Sequence, residues 1–298
     1  MSPFRLGASL YVPATRHDLT EVANGERFPR VRSMVFCLED AVHADDLGAA
    51  LDNLAASLPD WAHRDVLRFV RPRSPDVLRR VVSMHAAEAI DGFVLPKLHR
   101  HNFVAWARAL DGHQGYILPT LETAECFDPS EMRALRRILS RDGVRERVLS
   151  LRIGGNDLLQ CLGLRRDPSV TVYETAIGPV IAQLAATFRP YGFNLTGPVF
   201  DGLASPDVLR RETELDLAHG LFGKTAIHPA QVPIIEAAYA VDPADLESAR
   251  RVLDPHAPAV FQYGGTMCEP ATHRRWAELL WQRAEVYGTT PFVARALA

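Results

Sequence analysis

Short apolar runs and helix-periodic segments take turns along this chain, and that alternation constrains the fold more than any other feature. Runs rich in β-branched and apolar residues stand at 6–12, 33–38, 66–70, 92–95, 115–121, 148–153, 192–195 and 220–227. Segments with helical spacing lie between them at 44–58, 75–89, 103–110, 129–141, 173–188 and 206–218. Strands separated in this way run parallel, each joined to the next by a crossover helix. Eight such units in about 230 residues match a (β/α)8 barrel, whose functional groups gather at the C-terminal ends of the strands. A doubly wound open sheet is the rival fold, but it does not require a polar residue at every strand end. Here each run is followed by one: Arg16, Glu39 with Asp40, Arg71 with Arg73, Lys97, Glu122, Asp157, Asp201, and Lys224 with His228. The expectation is therefore an α/β fold, a (β/α)8 TIM barrel, over residues 1–235.

Beyond the barrel, 230–238, 243–253 and 271–287 read as further helices, and 256–270 as a loop rich in Gly and Pro. Residues 236–298 are expected to form a C-terminal helical extension. Its loop would act as a lid, over this chain's site or a neighbouring subunit's. The 298 residues are 47% hydrophobic, enough to fill a core of this size. A net charge of -3 with scattered arginines argues against nucleic acid and anionic membrane surfaces as partners. No run approaches the ~18 apolar residues of a membrane span, and the first residues lack an export signal. Cys37, Cys126, Cys161 and Cys268 lie far apart without a CxxC pair, which reads as reduced thiols in a cytoplasmic protein.

Glu122 and Asp157 end adjacent strands, so in a barrel both face one mouth. Two carboxylates there repel unless a cation intervenes. A hard divalent ion held by one or two carboxylates, with water and substrate oxygens completing an octahedron, describes Mg2+, and Mn2+ fits equally. The alternative is that each carboxylate caps the helix after it. Arg71 ends its strand with a planar fork that can clamp a substrate carboxylate, or it forms a surface salt bridge, and Arg73 competes for the role. Arg16 and Lys97 are further candidate substrate-binding cations, whereas Arg68 reads as structural. Glu39 and Asp40 could act as a base, order a metal-bound water, or pair with Arg16 or Arg71; an ion pair inside the barrel is the competing reading. Gly223-Lys-Thr225 is not a phosphate loop, because the upstream Gly is missing and Ile-His-Pro follows in place of a helix.

Several segments taken together resemble the citrate lyase β-subunit-like family, grouped with the HpcH/HpaI aldolases and malyl-CoA lyases. They are Leu10-Tyr-Val-Pro-Ala-Thr-Arg16, Phe36-Cys-Leu-Glu-Asp-Ala-Val42, Phe69-Val-Arg71, Val94-Leu-Pro-Lys97, Leu121-Glu-Thr-Ala124, Gly154-Gly-Asn-Asp-Leu158 and Gly223-Lys-Thr-Ala-Ile-His-Pro-Ala-Gln231. The resemblance implies a trimeric or hexameric barrel that breaks or forms a carbon–carbon bond beside a carboxylate with Mg2+. Glu122 and Asp157 match the metal carboxylates, Arg71 the arginine on the substrate carboxylate, and Glu39 with Asp40 the acidic pair near the metal. Two segments depart from the family pattern. After Val42 the chain reads His43-Ala-Asp-Asp-Leu-Gly-Ala-Ala50, without the cations that meet coenzyme A phosphates, which argues against a CoA thioester substrate. The lid motif Asp-Gly-Lys-Met-Ile-Asp-x-Pro becomes Tyr263-Gly-Gly-Thr-Met-Cys-Glu-Pro270, placing Glu269 where the acidic lid residue stands as a candidate acid or base. These departures are similar to a divergent branch of TIM-barrel C–C bond lyases linked to phosphoribosyltransferase and tellurium-resistance gene clusters.

The expected function is an Mg2+-dependent lyase acting on a small hydroxy or keto acid, with a small-molecule carboxylate as its partner and a homotrimer or hexamer as its assembly. Two alternatives stand beside it: a thioesterase or malate synthase-like condensing enzyme, and a barrel that binds a metabolite or partner without catalysis.

Overall fold

The computed structural model describes residues 2–62 and 65–290. Eight parallel strands, β1 (Ala8–Pro13), β2 (Ser33–Leu38), β3 (Leu67–Pro72), β4 (Gly92–Leu95), β5 (Tyr116–Leu121), β6 (Leu151–Ile153), β7 (Leu195–Thr196) and β8 (Lys224–Ala226), form one sheet in the order β7-β6-β5-β4-β3-β2-β1-β8. A bridge between Gly197 and Lys224 joins its two ends, supported by the Gly197 N–H donating to the Gly223 carbonyl at 2.8 Å. The chain is a (β/α)8 barrel.

The crossover helices are α1 (Leu19–Ala23), α2 (Leu47–Ser57), α3 (Pro75–Val82), α4 (Phe103–Ala109), α5 (Pro129–Leu139), α6 (Gly155–Cys161), α7 (Gly178–Phe188) and α8 (Pro206–Ala218). Local chemistry starts several of them. Ser74 accepts from the Val77 N–H and Asp128 from the Ser130 N–H, each just before a proline at the first helical position. The segment 75–89 expected as one helix stops at Val82, because Ala86 takes a left-handed conformation (φ 63°) and the chain continues as a single 3-10 turn, Ala87–Ala89. Inside the barrel, Leu6, Val35, Leu67, Phe69, Val94, Leu118 and Leu149 form one buried cluster on which Tyr11 and Tyr116 pack.

Two compact units divide the chain, Met1–Ile235 and Glu236–Ala298. Helix α9 (Gln231–Tyr239) crosses the division. The second unit holds α10 (Pro243–Leu253), a hairpin of β9 (Phe261–Tyr263) and β10 (Thr266–Cys268), and α11 (Pro270–Tyr287). The 256–270 stretch, expected as loop, thus contains an antiparallel pair turned by Gly264 and Gly265, both at positive φ. Val241, Ala249, Val252, Cys268, Ala277 and Leu280 form this unit's core. Among the described residues, no helix is long and apolar enough to cross a membrane.

Candidate active site

At the strand ends of the first unit lies a cavity of about 290 Å³, lined by Tyr11, Asp40, Arg71, Thr120, Glu122, Arg152, Gly154, Asp157 and Thr225 among others. Glu122, directly after β5, is 4% exposed. Its Oε1 accepts from the Lys97 backbone N–H at 2.7 Å. That donor is aimed by an unusual backbone: β4 ends, Pro96 follows, and Lys97 adopts φ 51°, a left-handed conformation rare for residues with a side chain. Burial first, then the charge of Asp157, pushes the Glu122 carboxyl up to about 8. Gly154 makes the close approach of β6 possible, since a Cβ there would sit 2.2 Å from Glu122 Oε2. Asp157 lies in the first turn of α6, whose N-cap is Gly154, so neither strand-end carboxylate serves as a side-chain cap.

Glu39, buried after β2, is clamped between Lys97 Nζ at 2.7 Å and Arg71 Nη1 at 2.9 Å. Burial raises its carboxyl, against the pull of Arg71 and Lys97. Asp40 lies more open on the cavity wall, 3.3 Å from Arg71 Nη1. Arg71 also donates to Cys37 Sγ at 3.1 Å and stacks 5.0 Å from the Tyr11 ring, while its buried Nε has no partner among the described residues. Burial disfavours its charge, but Tyr11, Cys37 and Glu39 more than offset this and the net shift is upward. Arg73 is engaged differently from Arg71: it donates to the carbonyls of Leu38, Glu39 and Val42 and so pins the loop after β2. Lys97 Nζ, on a side chain 48% exposed, also approaches Asp157 at 3.6 Å and Asp40 at 3.8 Å.

Three polar residues flagged in the sequence, Arg16, Lys224 and His228, stand outside the lining of this cavity. Arg16 makes a two-pronged pair with Asp18, at 2.8 and 2.7 Å, and does not line the cavity. Lys224 faces away from the barrel interior, fully buried against Glu212 and Asp216 of α8 at 2.9 and 2.8 Å. The His228 ring accepts from the Ala230 N–H at 3.2 Å, a local strut. Glu269 belongs to the second unit, where it precedes α11 and accepts from the Thr272 hydroxyl at 3.1 Å.

Arg152 also lines the cavity, a residue within a strand that counting strand ends passes over. Ile117 bridges Val148 while Thr120 pairs with Arg152, so β6 spends one more residue than β5 over this stretch. Such an extra residue shifts the alternation of faces, and it turns Arg152 inward beside Thr120. The available signal was an arginine inside an otherwise apolar strand, Leu151-Arg-Ile153.

A (β/α)8 barrel with carboxylates and an arginine gathered at one strand-end cavity has the form of an enzyme. The chain belongs to the C–C bond lyases of the TIM-barrel fold, whose family model matches residues 1–289. A (3S)-malyl-CoA thioesterase of Cereibacter sphaeroides is 30% identical over 254 residues, 84% of this chain and 81% of the relative. Among solved structures, CitE from Mycobacterium tuberculosis in complex with magnesium, acetoacetate and coenzyme A aligns with a TM-score of 0.67 and 22% identity, covering 94% of this chain and 99% of that one. A citrate lyase from Burkholderia xenovorans aligns with a TM-score of 0.74 and 18% identity, covering 96% and 93%. At those identities the structures speak for the shared fold.

Proposed function

We propose that this protein is an Mg2+-dependent carbon–carbon bond lyase of the retro-aldol or Claisen type, acting on a small hydroxy or keto carboxylic acid. One observation carries the reading: Glu122 is a buried, cavity-lining carboxylate made costly by its own burial and by Asp157, and no cationic side chain pairs with it among the described residues. The donor set fits a hard ion. No group of three or more metal-ligating side chains occurs among the described residues, but Mg2+ is commonly held by one or two carboxylates with water and substrate oxygens. Glu122 and Asp157 would hold it, and Mn2+ would fit the same oxygens. Relatives of this fold were solved with magnesium and small acids, CitE from M. tuberculosis with acetate in one case and the citrate lyase β subunit from that organism with oxaloacetate in another.

When bound, the ion would supply Lewis-acid stabilisation of negative charge on a substrate oxygen. The chain supplies the rest. Arg71, held in place by Cys37, Glu39 and Tyr11, lines the cavity and would meet the substrate carboxylate there. Lys97 adds a second positive charge at the mouth. Glu39 fixes both cations, and Asp40, the cavity-facing member of the pair, exchanges a proton with the substrate hydroxyl or the enolate carbon. Glu269 would join as acid or base by reaching a neighbouring chain's barrel in a homotrimer or hexamer. Mn2+ titration followed by electron paramagnetic resonance tests the metal assignment: binding is expected in the parent protein and lost in Glu122→Gln and Asp157→Asn. Binding that survives both substitutions would sink it.

A second reading, hydrolysis of a CoA thioester, is favoured by the name of the 30% identical relative. Against it, the segment after Val42 offers Asp45 and Asp46 to the cofactor's phosphates and no cation. Calorimetric titration with CoA decides between them, tight binding favouring the thioesterase.

A further inference from the structure

The geometry points to a second anion site in the same cavity, built on Arg152 and Thr120, which pairs with a second carboxylate on the substrate. The ligand is then a free dicarboxylic keto or hydroxy acid, one carboxylate meeting the metal and Arg71 and the other meeting Arg152. This rests on the proposed function above and narrows its substrate class.

Arg152 is 2% exposed, yet no carboxylate among the described residues forms an ion pair with it. One guanidinium nitrogen donates to Thr225 Oγ1, another reaches Ser9 Oγ at 3.5 Å, and the group lies 5.2 Å from the Tyr11 ring. All of these neighbours are neutral. Burial raises the Tyr11 phenol above its ordinary value, so the ring does not supply the missing negative charge. Other buried arginines in the barrel are answered differently. Arg166 pairs with Glu212, Arg71 pairs with Glu39 at 2.9 Å, and Arg68 has Asp91 at 4.0 Å together with the Ala62 carbonyl at 2.8 Å. A buried charge without a counter-ion is costly, and Arg152 opens onto the cavity, where a ligand can supply one.

A second, independent group points the same way. Thr120 is Arg152's partner across the β5–β6 register and lines the same cavity, and its buried hydroxyl has no hydrogen-bond partner among the described residues. Buried hydroxyls are normally satisfied. A carboxylate seated on the Arg152 fork could accept from it too. The two guanidinium groups are separate anchors, since Arg71 is tied to Glu39 and Cys37 whereas Arg152 is tied to Ser9 and Thr225. The cavity volume lies at the small end of the ~300–1,000 Å³ typical of small-molecule sites.

Calorimetry on the full chain with saturating Mg2+ tests this, using acids that differ only at the far end: oxaloacetate against 2-oxobutanoate, and 2-oxoglutarate against 2-oxopentanoate. At least one dicarboxylate is expected to bind about thirtyfold more tightly than its methyl-ended twin, the gain of a charge-assisted contact. Arg152→Gln should erase that advantage while leaving the twin's affinity in place. Thr120→Val, which keeps the volume, should reduce it in part and serves where Arg152→Gln does not fold. Equal affinities within both pairs in the parent protein overturn the inference. So does an Arg152→Gln variant that loses both members of a pair equally, which would put Arg152 on the first carboxylate. Mn2+ binding without discrimination overturns the inference alone; no metal and no acid binding overturns the proposed function with it.

Discussion

Glu122 has one backbone donor, the Lys97 N–H, to set against nearly complete burial and the like charge of Asp157. Its folded-state value of about 8 stands above the ordinary 4.5, so the metal-free folded chain keeps a proton there that the unfolded chain releases. The stability tied to that proton is fully present below about 4.5 and is lost as pH rises through about 8. Glu122→Gln removes the titration. In the presence of chelator, urea melts at pH 5, 7 and 9 should show parent stability falling by a few kcal/mol across the series relative to the variant. Parallel pH dependences would mean that the carboxylate is better solvated than its burial implies. Arg16 teaches a related lesson: it follows β1 in sequence, but a nearby carboxylate, Asp18, satisfies both of its prongs locally.

At the level of elements, β8 and α8 are joined by buried charge. Lys224 meets Glu212 and Asp216, Arg166 meets Glu212, and the Tyr173 hydroxyl donates to Asp216 at 2.6 Å. Burial raises Asp216 to about 6 despite the pull of Lys224. Lys224→Met therefore leaves Asp216 without its cation and Glu212 with Arg166 alone, and is expected to cost about 3–5 kcal/mol in urea denaturation. The loss should be larger at pH 8 than at pH 5, where protonation relieves the pair; a cost below 1 kcal/mol, on the order of a surface pair, would show the cluster to be well hydrated. From sequence, Lys224 was one more polar residue at a strand end, because a short buried strand gives no sign of which face a residue takes. Strands and helices with sharp chemical edges were legible to the residue: 33–38, 92–95, 206–218 and 243–253 coincide with β2, β4, α8 and α10. The runs at 148–153 and 192–195 overshoot or slide because apolar character continues past the paired residues of β6 and β7. Glu122, Asp157, Arg71, Glu39, Asp40 and Lys97 could be drawn to one mouth by counting strand ends. Arg152 could not, since its facing depends on an extra residue in β6 that only pairing reveals.

For the whole molecule, the second unit carries the strongest sign of a partner. Its 236–298 span is short for a self-sufficient core, and it leaves Val260, Met267, Trp276 and Trp281 exposed. Met267 and Trp276 border a hollow of about 360 Å³ with Ser248, Cys268 and His273. Exposed aromatic and methionine side chains around a concavity are common at protein interfaces, and the occupant expected here is a second copy of the chain in a homotrimer or hexamer. Trp276 is exposed, so Trp276→Glu should spare the fold while placing a charge in the contact. A buried interface tryptophan is often worth about 2 kcal/mol or more, so the variant should dissociate at concentrations roughly thirtyfold above those at which the parent stays assembled. Light scattering coupled to size exclusion across a dilution series reads this directly. A parent protein that is monomeric at every concentration, or a variant that assembles like the parent, would mean that this hollow is not the contact between copies. Glu269, placed at the start of α11 beside the hairpin, would then have no neighbouring barrel to reach by this route.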